Sequence, residues 1–175
     1  MGYYDIDDIL AEGEKVPCAF NATYPGLGFL EGSPGRPLMK DTKVELPMWL
    51  AKLLATSELS SESDLSFVEM LTPDFVSAKV LNAIRAEPKS VDLHSLKANY
   101  YKLAEQWIHI FSDQQVAEIV MELLKQRALE IDNFASNTTK HVNSSFLLSL
   151  DEFEKKLYKA TAESKRQARN WSNQT

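Results

Sequence analysis

Three histidines and one cysteine are the residues of this sequence that most often bind metals or act as nucleophiles. His94, His109 and His141 lie far apart in the chain. None has a second histidine or cysteine at a spacing typical of zinc ligands. Cys18 lies in an apolar run with no basic residue beside it, which favours a structural thiol over a nucleophile. These four residues therefore indicate neither a metal centre nor a thiol enzyme.

Two glycine-bearing runs and one group of carboxylates could bind phosphate or a metal ion, but each lacks part of the required pattern. The runs PGLGFLEG and SPGRPLMK contain no Gly-Lys-Ser/Thr triplet and precede no helix at the right offset. Asp5, Asp7 and Asp8 lack the central glycine and distal glutamate of a calcium loop. No serine lies in a G-x-S-x-G elbow. The sequence therefore predicts no catalytic residue, no cofactor and no metal ligand.

Composition and charge narrow the class of protein further. The 175 residues are 44% hydrophobic and 25% charged, which is typical of a globular chain. The net charge of −6 arises in residues 1–64, which hold 11 acidic and 5 basic side chains. An acidic N-terminal third argues against a grip on the nucleic-acid backbone. The N-terminus lacks the pattern of a secretory signal and no apolar run is long enough for a membrane span, so we expect the cytosol or the nucleus.

Glycine and proline divide the chain into two parts. All six glycines lie at or before Gly35, and five of the seven prolines lie at or before Pro47. Because these residues mark turns, short elements are expected first and long helices afterwards. We predict a mainly α protein, in which a small α+β module with short strands precedes a helical-bundle domain. The predicted boundaries are 1–55 for the module, 56–66 for a flexible Ser/acidic linker, and 67–175 for the helical domain.

The small module is predicted to contain two helices around short strands. An opening helix covers YYDIDDILAEGEK, with Ile6, Ile9 and Leu10 on one face. Strands follow at 16–23 and 37–46, with a short extended piece at 29–30 between turns. Pro47 suits the first turn of a helix. That helix would carry its apolar stripe on Trp49, Leu50, Leu53 and Leu54.

Four long helices are predicted in the second part. They span about 73–86, 91–111, 112–134 and 145–171, with proline at the start of the first and a capping box, Ser-Asp-Gln-Gln, at the start of the third. The last helix has an apolar stripe of only about 100°, whereas the third spreads its apolar residues over roughly 200° and the second is nearly as wide. Such wide arcs suit helices that are either central in a bundle or covered by another protein.

Several sequence blocks resemble those of a known family. YYDIDDILAE, VPCAF and PGLGFLEG are similar, in that order, to the start of the third Psf subunit of the GINS complex. KVELPMWLAKLL resembles the strand-to-helix junction of that family, and VDLHSL resembles the start of its long helices. The resemblance extends over essentially the whole chain. The second part, with a polar loop before its final helix, is similar to the fungal members.

This resemblance implies a non-catalytic subunit of a heterotetramer. GINS has four related subunits, and in this subunit type the small domain comes first. The family resemblance implies contact with the other three GINS subunits, with the MCM helicase ring and with its Cdc-type accessory factor in the replicative CMG helicase. It also implies an indirect link to the leading-strand polymerase, at most indirect contact with DNA, and a nuclear location. No membrane or small-molecule substrate is implied.

Candidate contact residues come partly from the family motifs and partly from the arcs. By the resemblance, Tyr4, Asp5, Asp7, Asp8, Ile9 and Leu10 would shape the small module. The residues expected at an interface or a domain junction are Leu46, Pro47, Trp49, Leu50, Tyr100, Trp107, Phe111, Val116, Val120 and Leu124. A role in fold stability alone remains open for each of them. The alternative function is a self-sufficient helical module that binds one partner helix or peptide in a groove.

Overall fold

The computed structural model describes residues 5–60, 63–136 and 145–172, and the chain divides into two compact units at residues 74 and 75. We call residues 1–74 the strand-bearing unit and residues 75–175 the helical unit. The strand-bearing unit contains, in chain order, α1 (Ile6–Gly13), β1 (Lys15–Phe20), β2 (Lys43–Pro47), α2 (Met48–Thr56), β3 (Glu58–Ser60), β4 (Ser63–Ser66) and β5 (Val68–Met70). The helical unit contains α3 (Ala78–Ala86), α4 (Leu93–Leu96), α5 (Tyr100–Phe111), α6 (Gln114–Ser136), α7 (Ser145–Leu148) and α8 (Glu152–Ser172). The mainly α fold with a small N-terminal sheet confirms the predicted fold class.

The sheet of the strand-bearing unit is antiparallel and has the strand order β2-β1-β5. Central strand β1 alternates exposed or half-buried positions with Val16, Cys18 and Phe20, which are buried. This period of two places one face of the strand on the core. Helix α2 packs on the sheet through Met48 and Ala51, neither of which is exposed. The core of this unit is therefore a single layer between one sheet face and α2.

Helix α1 is fixed at both ends by hydrogen bonds. The Asp5 carboxylate accepts from the backbone N–H of Asp7 at 3.1 Å, which caps the N-terminus. At the other end, the Met48 N–H donates to the Glu14 carbonyl at 2.8 Å, which joins the end of α1 to the start of α2. The predicted opening helix is thus present, and its attachment to α2 is a feature that the sequence did not predict.

Three local predictions in this unit need correction. Residues 29–30 lie in a 3-10 turn, Gly28–Glu31, and are not extended. The second strand is shorter than expected, since only Lys43–Pro47 pairs with β1, while Leu38 forms one isolated bridge with Tyr24. The apolar stripe predicted on α2 points the other way, because Met48 and Ala51 meet the sheet and leave Trp49 and Leu53 more than half exposed.

The predicted flexible linker at 56–66 contains a hairpin instead. Strands β3 and β4 pair antiparallel, and β5 then joins β1 in the main sheet. Backbone pairing and polar contacts order this segment despite its few apolar side chains. Asn21 donates to the Ser66 carbonyl at 2.9 Å, and the Ser66 hydroxyl donates to the Val68 carbonyl at 2.9 Å. The compact first unit consequently reaches Asp74, well beyond the boundary that composition indicated.

Helix α6 is the central element of the helical unit, and it packs against α3, α5 and α8. Its buried side chains include Val116, Ile119, Leu123, Arg127 and Ile131, spaced three or four residues apart. An aromatic cluster adds to this core: the rings of Tyr100 and Trp107 both meet Phe75 edge to face, with centroids 6.5 and 6.4 Å from it. A bundle around one long helix results.

Each predicted long helix differs at its start or is interrupted. The first begins at Ala78, after a 3-10 turn in which Phe75 and Val76 are both buried. The second breaks between Leu96 and Tyr100, where the Ala98 carbonyl accepts from the Glu152 N–H at 2.9 Å. A carbonyl committed to another helix cannot continue its own hydrogen-bond ladder.

The third and last helices show similar differences. The predicted capping box places the cap at Ser112, but Asp113 caps α6 by accepting from the Val116 N–H at 3.1 Å. Ser112 has a left-handed backbone with φ of 51°. The last predicted helix is divided into α7 and α8, and the Asp151 carboxylate caps α8 by accepting from the Glu154 N–H at 2.8 Å. Residues 137–144, including His141, lie outside the described part of the chain, as does Tyr4.

We predict that Gly28→Ala destabilises the strand-bearing unit by about 2–3 kcal/mol. A β-carbon at Gly28 would lie 2.5 Å from the Ser33 carbonyl oxygen and closer still to that of Arg36, so backbone must move. Gly13→Ala is the control, because a β-carbon there meets nothing within 4 Å and the residue ends a helix. Denaturant unfolding should show a loss only for Gly28→Ala, and equal stability of the two variants would contradict this account.

Candidate partner-binding surfaces and the buried network behind them

A buried arginine lies at the centre of the helical unit. Arg127 on α6 has no exposed surface, and its guanidinium makes a bidentate pair with Glu154 of α8, with N–O distances of 2.7 and 2.9 Å. The remaining N–H groups donate to the carbonyls of Pro88, Val91 and Ser149, at 3.2, 2.9 and 3.3 Å. All five donors of the guanidinium thus have acceptors, which a buried charge requires.

Glu154 and Asp151 extend this network to α5. The Tyr101 hydroxyl donates to the Glu154 carboxylate at 2.8 Å, and the Tyr101 backbone N–H donates to Asp151 at 3.3 Å. Burial of the Asp151 carboxyl raises its pKa to about 6. The Arg127 guanidinium also lies 5.0 Å from the centroid of the Phe146 ring, a cation–π distance. One set of side chains therefore connects α5, α6, α7, α8 and the segment before α4.

The network is placed for structure and not for chemistry on a substrate. Arg127, Asp151 and Glu154 have no exposed surface, so a molecule in solution does not reach them. Cys18 is also buried, and burial raises the pKa of its thiol to about 11, which keeps the thiol protonated and unreactive. Among the histidines, His109 is exposed on α5, and His94 lies 3.2 Å from the amine of Lys155.

The surfaces available to partners are apolar patches outside this core. On α6, Met121 and Leu129 are 59% and 68% exposed and lie on one side of the helix, eight residues apart. A shallow depression of about 410 Å³ follows that side, and Gln114, Ala117, Glu118, Met121 and Lys125 line it. We call this the outer face of α6. Phe111, at the end of α5, is also exposed.

A second depression lies beside α3. It has a volume of about 510 Å³, with the apolar side chains of Val80, Ala83, Val91 and Leu96 among its walls. Glu87 and Asp92 supply carboxylates and Lys79 an amine. This groove, which we call the α3 groove, is large enough to receive side chains of a peptide or helix.

The structure separates the predicted contact residues into covered and accessible groups. Leu46, Tyr100, Trp107 and Val116 are buried within their own units, which leaves them little side-chain surface for a partner. Pro47, Leu50, Val120 and Leu124 are half-buried, and Trp49 and Phe111 are exposed. Most apolar side chains of the second and third predicted helices are thus buried or half-buried by other parts of this chain. The exposed ones at the edges of the two apolar arcs are Phe111, Met121 and Leu129.

Two family models match the chain along nearly its whole length. The PSF3 N-terminal domain matches residues 4–56, and the GINS complex protein helical bundle domain matches residues 75–173. The chain belongs to the PSF3 family of GINS proteins. The match of the helical-bundle model begins at the first residue of the helical unit, Phe75.

Curated fungal proteins of the PSF3 family are similar to this chain from end to end. The protein of Debaryomyces hansenii named DNA replication complex GINS protein PSF3 is 54% identical, over 97% of this chain and 96% of its own length. The proteins of the same name from Candida albicans and Saccharomyces cerevisiae are 48% and 44% identical, over 97% and 98% of this chain and 96% and 98% of their own lengths. The resemblance inferred from the sequence blocks is confirmed.

The buried network is the part of this PSF3-family chain that sequence reasoning missed. A signal for it was present. Arg127 lies four residues from both Leu123 and Ile131, so a permanent charge interrupts the buried stripe of α6. A charge at such a position requires a buried partner of opposite sign. The partner itself, Glu154, could not be selected from the many carboxylates of the sequence.

We predict that Arg127→Met lowers the free energy of unfolding by about 3–5 kcal/mol, because it leaves the buried Glu154 carboxyl without its cation. The matched control is the exposed pair of Lys89 and Glu130, which are 3.1 Å apart. Glu130→Ala should cost less than about 1 kcal/mol. Denaturant unfolding of the full chain measures both values. If both substitutions lower the free energy of unfolding equally, the buried pair contributes no more to stability than the exposed pair.

A second prediction concerns pH. The folded-state pKa of Asp151, about 6, exceeds the unfolded value of about 3.9, so the folded chain retains a proton that the unfolded chain releases. The stabilisation from this proton is complete below about pH 4 and is lost as the pH rises through about 6.

Asp151→Asn isolates this effect, because asparagine keeps a capping oxygen but does not titrate. We expect the stability of the parent chain relative to the variant to fall by about 2–3 kcal/mol between pH 4 and pH 7, since one pKa unit corresponds to about 1.4 kcal/mol. Unfolding curves at both pH values measure it. A difference that does not change with pH would contradict the prediction.

Proposed function

We propose that this chain is a non-catalytic structural subunit of a heterotetrameric GINS complex in the nucleus. In this proposal the complex binds the MCM ring and its Cdc-type accessory factor to form the CMG helicase, and it acts in initiation and elongation of chromosomal DNA replication. Membership of the PSF3 family supports the assignment to GINS. The direct partners are the other three subunits, the polymerase link is indirect, and contact with DNA is at most indirect.

The outer face of α6 is the observation that carries the structural role. Helix α6 is held from inside by Arg127 and its apolar stripe, yet it leaves Met121 and Leu129 exposed on its other side. Single exposed apolar residues are ordinary, but two on one side of a rigid helix form a patch suited to protein contact. The buried network keeps this face in one orientation.

The acidic character of the N-terminal part supports contact with proteins over contact with DNA. Its 11 acidic and 5 basic residues over positions 1–64 would repel a phosphate backbone. The described residues contain no helix long and apolar enough to cross a membrane. The proposed partners are accordingly proteins.

The α3 groove favours the second candidate function. A helical module that binds one partner helix would use such a depression, with its apolar walls as anchor sites and its carboxylates as specificity contacts. The two functions differ in what the purified chain does alone. A self-sufficient module is a soluble monomer, whereas a scaffold subunit needs its partners to cover the exposed patches.

We predict that the isolated full chain self-associates at micromolar concentration, and that co-expression with the other three subunits gives a 1:1:1:1 particle. Sedimentation velocity distinguishes these states.

Within the particle, Met121→Glu with Leu129→Glu should weaken assembly by at least about tenfold, since each places a charge in an apolar contact. Lys159→Glu, an exposed change on α8, is the control. A stable monomer that does not assemble with the other subunits would contradict the scaffold function.

A further inference from the structure

Helix α1 presents its apolar side to solvent instead of to the core. Ile6, Ile9 and Leu10 are 69%, 56% and 55% exposed, and their spacing places them on one side of the helix. Ala11, which has no exposed surface, faces the unit from the opposite side. The orientation is fixed, because the Asp5 cap and the hydrogen bond from Met48 to Glu14 hold both ends. We call the side of the helix that carries Ile6, Ile9 and Leu10 the outward face of α1.

The neighbouring helix α2 adds to the exposed apolar surface. Trp49 and Leu53, four residues apart, are 52% and 57% exposed. The two helices contact each other, and the backbone bond between Glu14 and Met48 places the end of α1 beside the start of α2. Five large apolar side chains more than half exposed on two adjoining helices exceed what isolated surface residues require.

The charge around α1 selects the kind of partner. Residues 5–14 contain five carboxylates and no basic side chain. Viewed down the helix, Asp7 and Glu12 lie at the two edges of the outward face. An anionic membrane surface attracts amphipathic helices with basic edges and would repel this one. A nucleic acid is excluded for the same electrostatic reason.

We propose that the outward face of α1 docks against a helix of a partner protein whose apolar stripe is edged by lysine or arginine. The inference rests on the proposed function, in which the chain acts within a larger assembly, and it adds the chemistry of one contact. Spacing of three and four residues suits packing against another helix. The eight residues of α1 span about 12 Å, so this contact is one part of a larger interface. Lys15, which directly follows α1, and Lys52 of α2 are exposed cations that the partner must avoid or pair with an acid.

Site-specific photo-crosslinking in dividing cells tests this proposal with every partner present. The full chain carries p-benzoylphenylalanine in place of Leu10, and a matched chain carries it in place of Met39, which is 58% exposed in the same unit. We expect Leu10 to crosslink at least about fivefold more strongly than Met39. Mass spectrometry should locate the crosslink in a helical segment with at least two basic residues beside its apolar stripe.

Two variants separate the role of charge from that of folding. Glu12→Lys places a cation in the last turn of α1, where the helix dipole favours it, so the helix stays formed. It should nevertheless reduce the Leu10 crosslink at least about threefold, because it reverses the sign at one edge. Ile9→Ser should reduce the crosslink by a similar or larger factor through loss of apolar contact.

The outcomes are distinct. A Leu10 crosslink no stronger than that of Met39, or one to a segment with acidic or uncharged edges, overturns the proposal. An undiminished crosslink in both variants also overturns it. If the unmodified chain does not enter the four-subunit particle at all, the proposed function fails. If the particle forms and Leu10 crosslinks nothing, only the present inference fails.

Discussion

The buried pair of Arg127 and Glu154 is the constraint on which the helical unit depends. A guanidinium without solvent is tolerated only where every N–H finds an acceptor, and here the acceptors come from three separate stretches of chain. Helix α8, the segment before α4 and the turn around Ser149 must therefore all be in place together. An apolar contact would tolerate small shifts between helices, whereas a bidentate pair specifies both distance and direction.

Rigidity of this kind suits a protein that exposes apolar faces on some of its helices. The outer face of α6 and the outward face of α1 both belong to helices with a fixed orientation, one through Arg127 and the other through its two end contacts. Preorganised surfaces lose little conformational entropy on association. A subunit can contribute to an assembly by presenting such surfaces in constant geometry. The buried sides of α5 and α6 give the unit its rigid core, and their accessible edges remain available for contact with partners.

Much of the fold was predictable because periodicity and turn residues act locally. The opening helix, the strand around Cys18, the helix after Pro47 and the long helix α6 all follow from apolar spacing together with turn and cap residues. One error arose where a distant group competes for the backbone, since the Glu152 N–H takes the Ala98 carbonyl and the helix breaks there. The hairpin at 58–66 was missed for a different reason, because local backbone pairing forms it and apolar periodicity does not reveal such pairing. The stripe of α2 was predicted on the wrong side, since Met48 and Ala51 are buried whereas Trp49 and Leu53 are exposed. Sequence spacing identified apolar faces, but it did not say which face turns inward.

The separation between Arg127 and its partners also affects how the protein is made. The strand-bearing unit closes with β5, so all its pairing partners have left the ribosome before the helical unit is half synthesised. Arg127, by contrast, must wait for Glu154, which is synthesised 27 residues later. Until then, α6 carries an uncompensated cation on the side that will become its core. The first unit can thus fold early in translation, whereas the second completes its core only once Glu154 has left the ribosome.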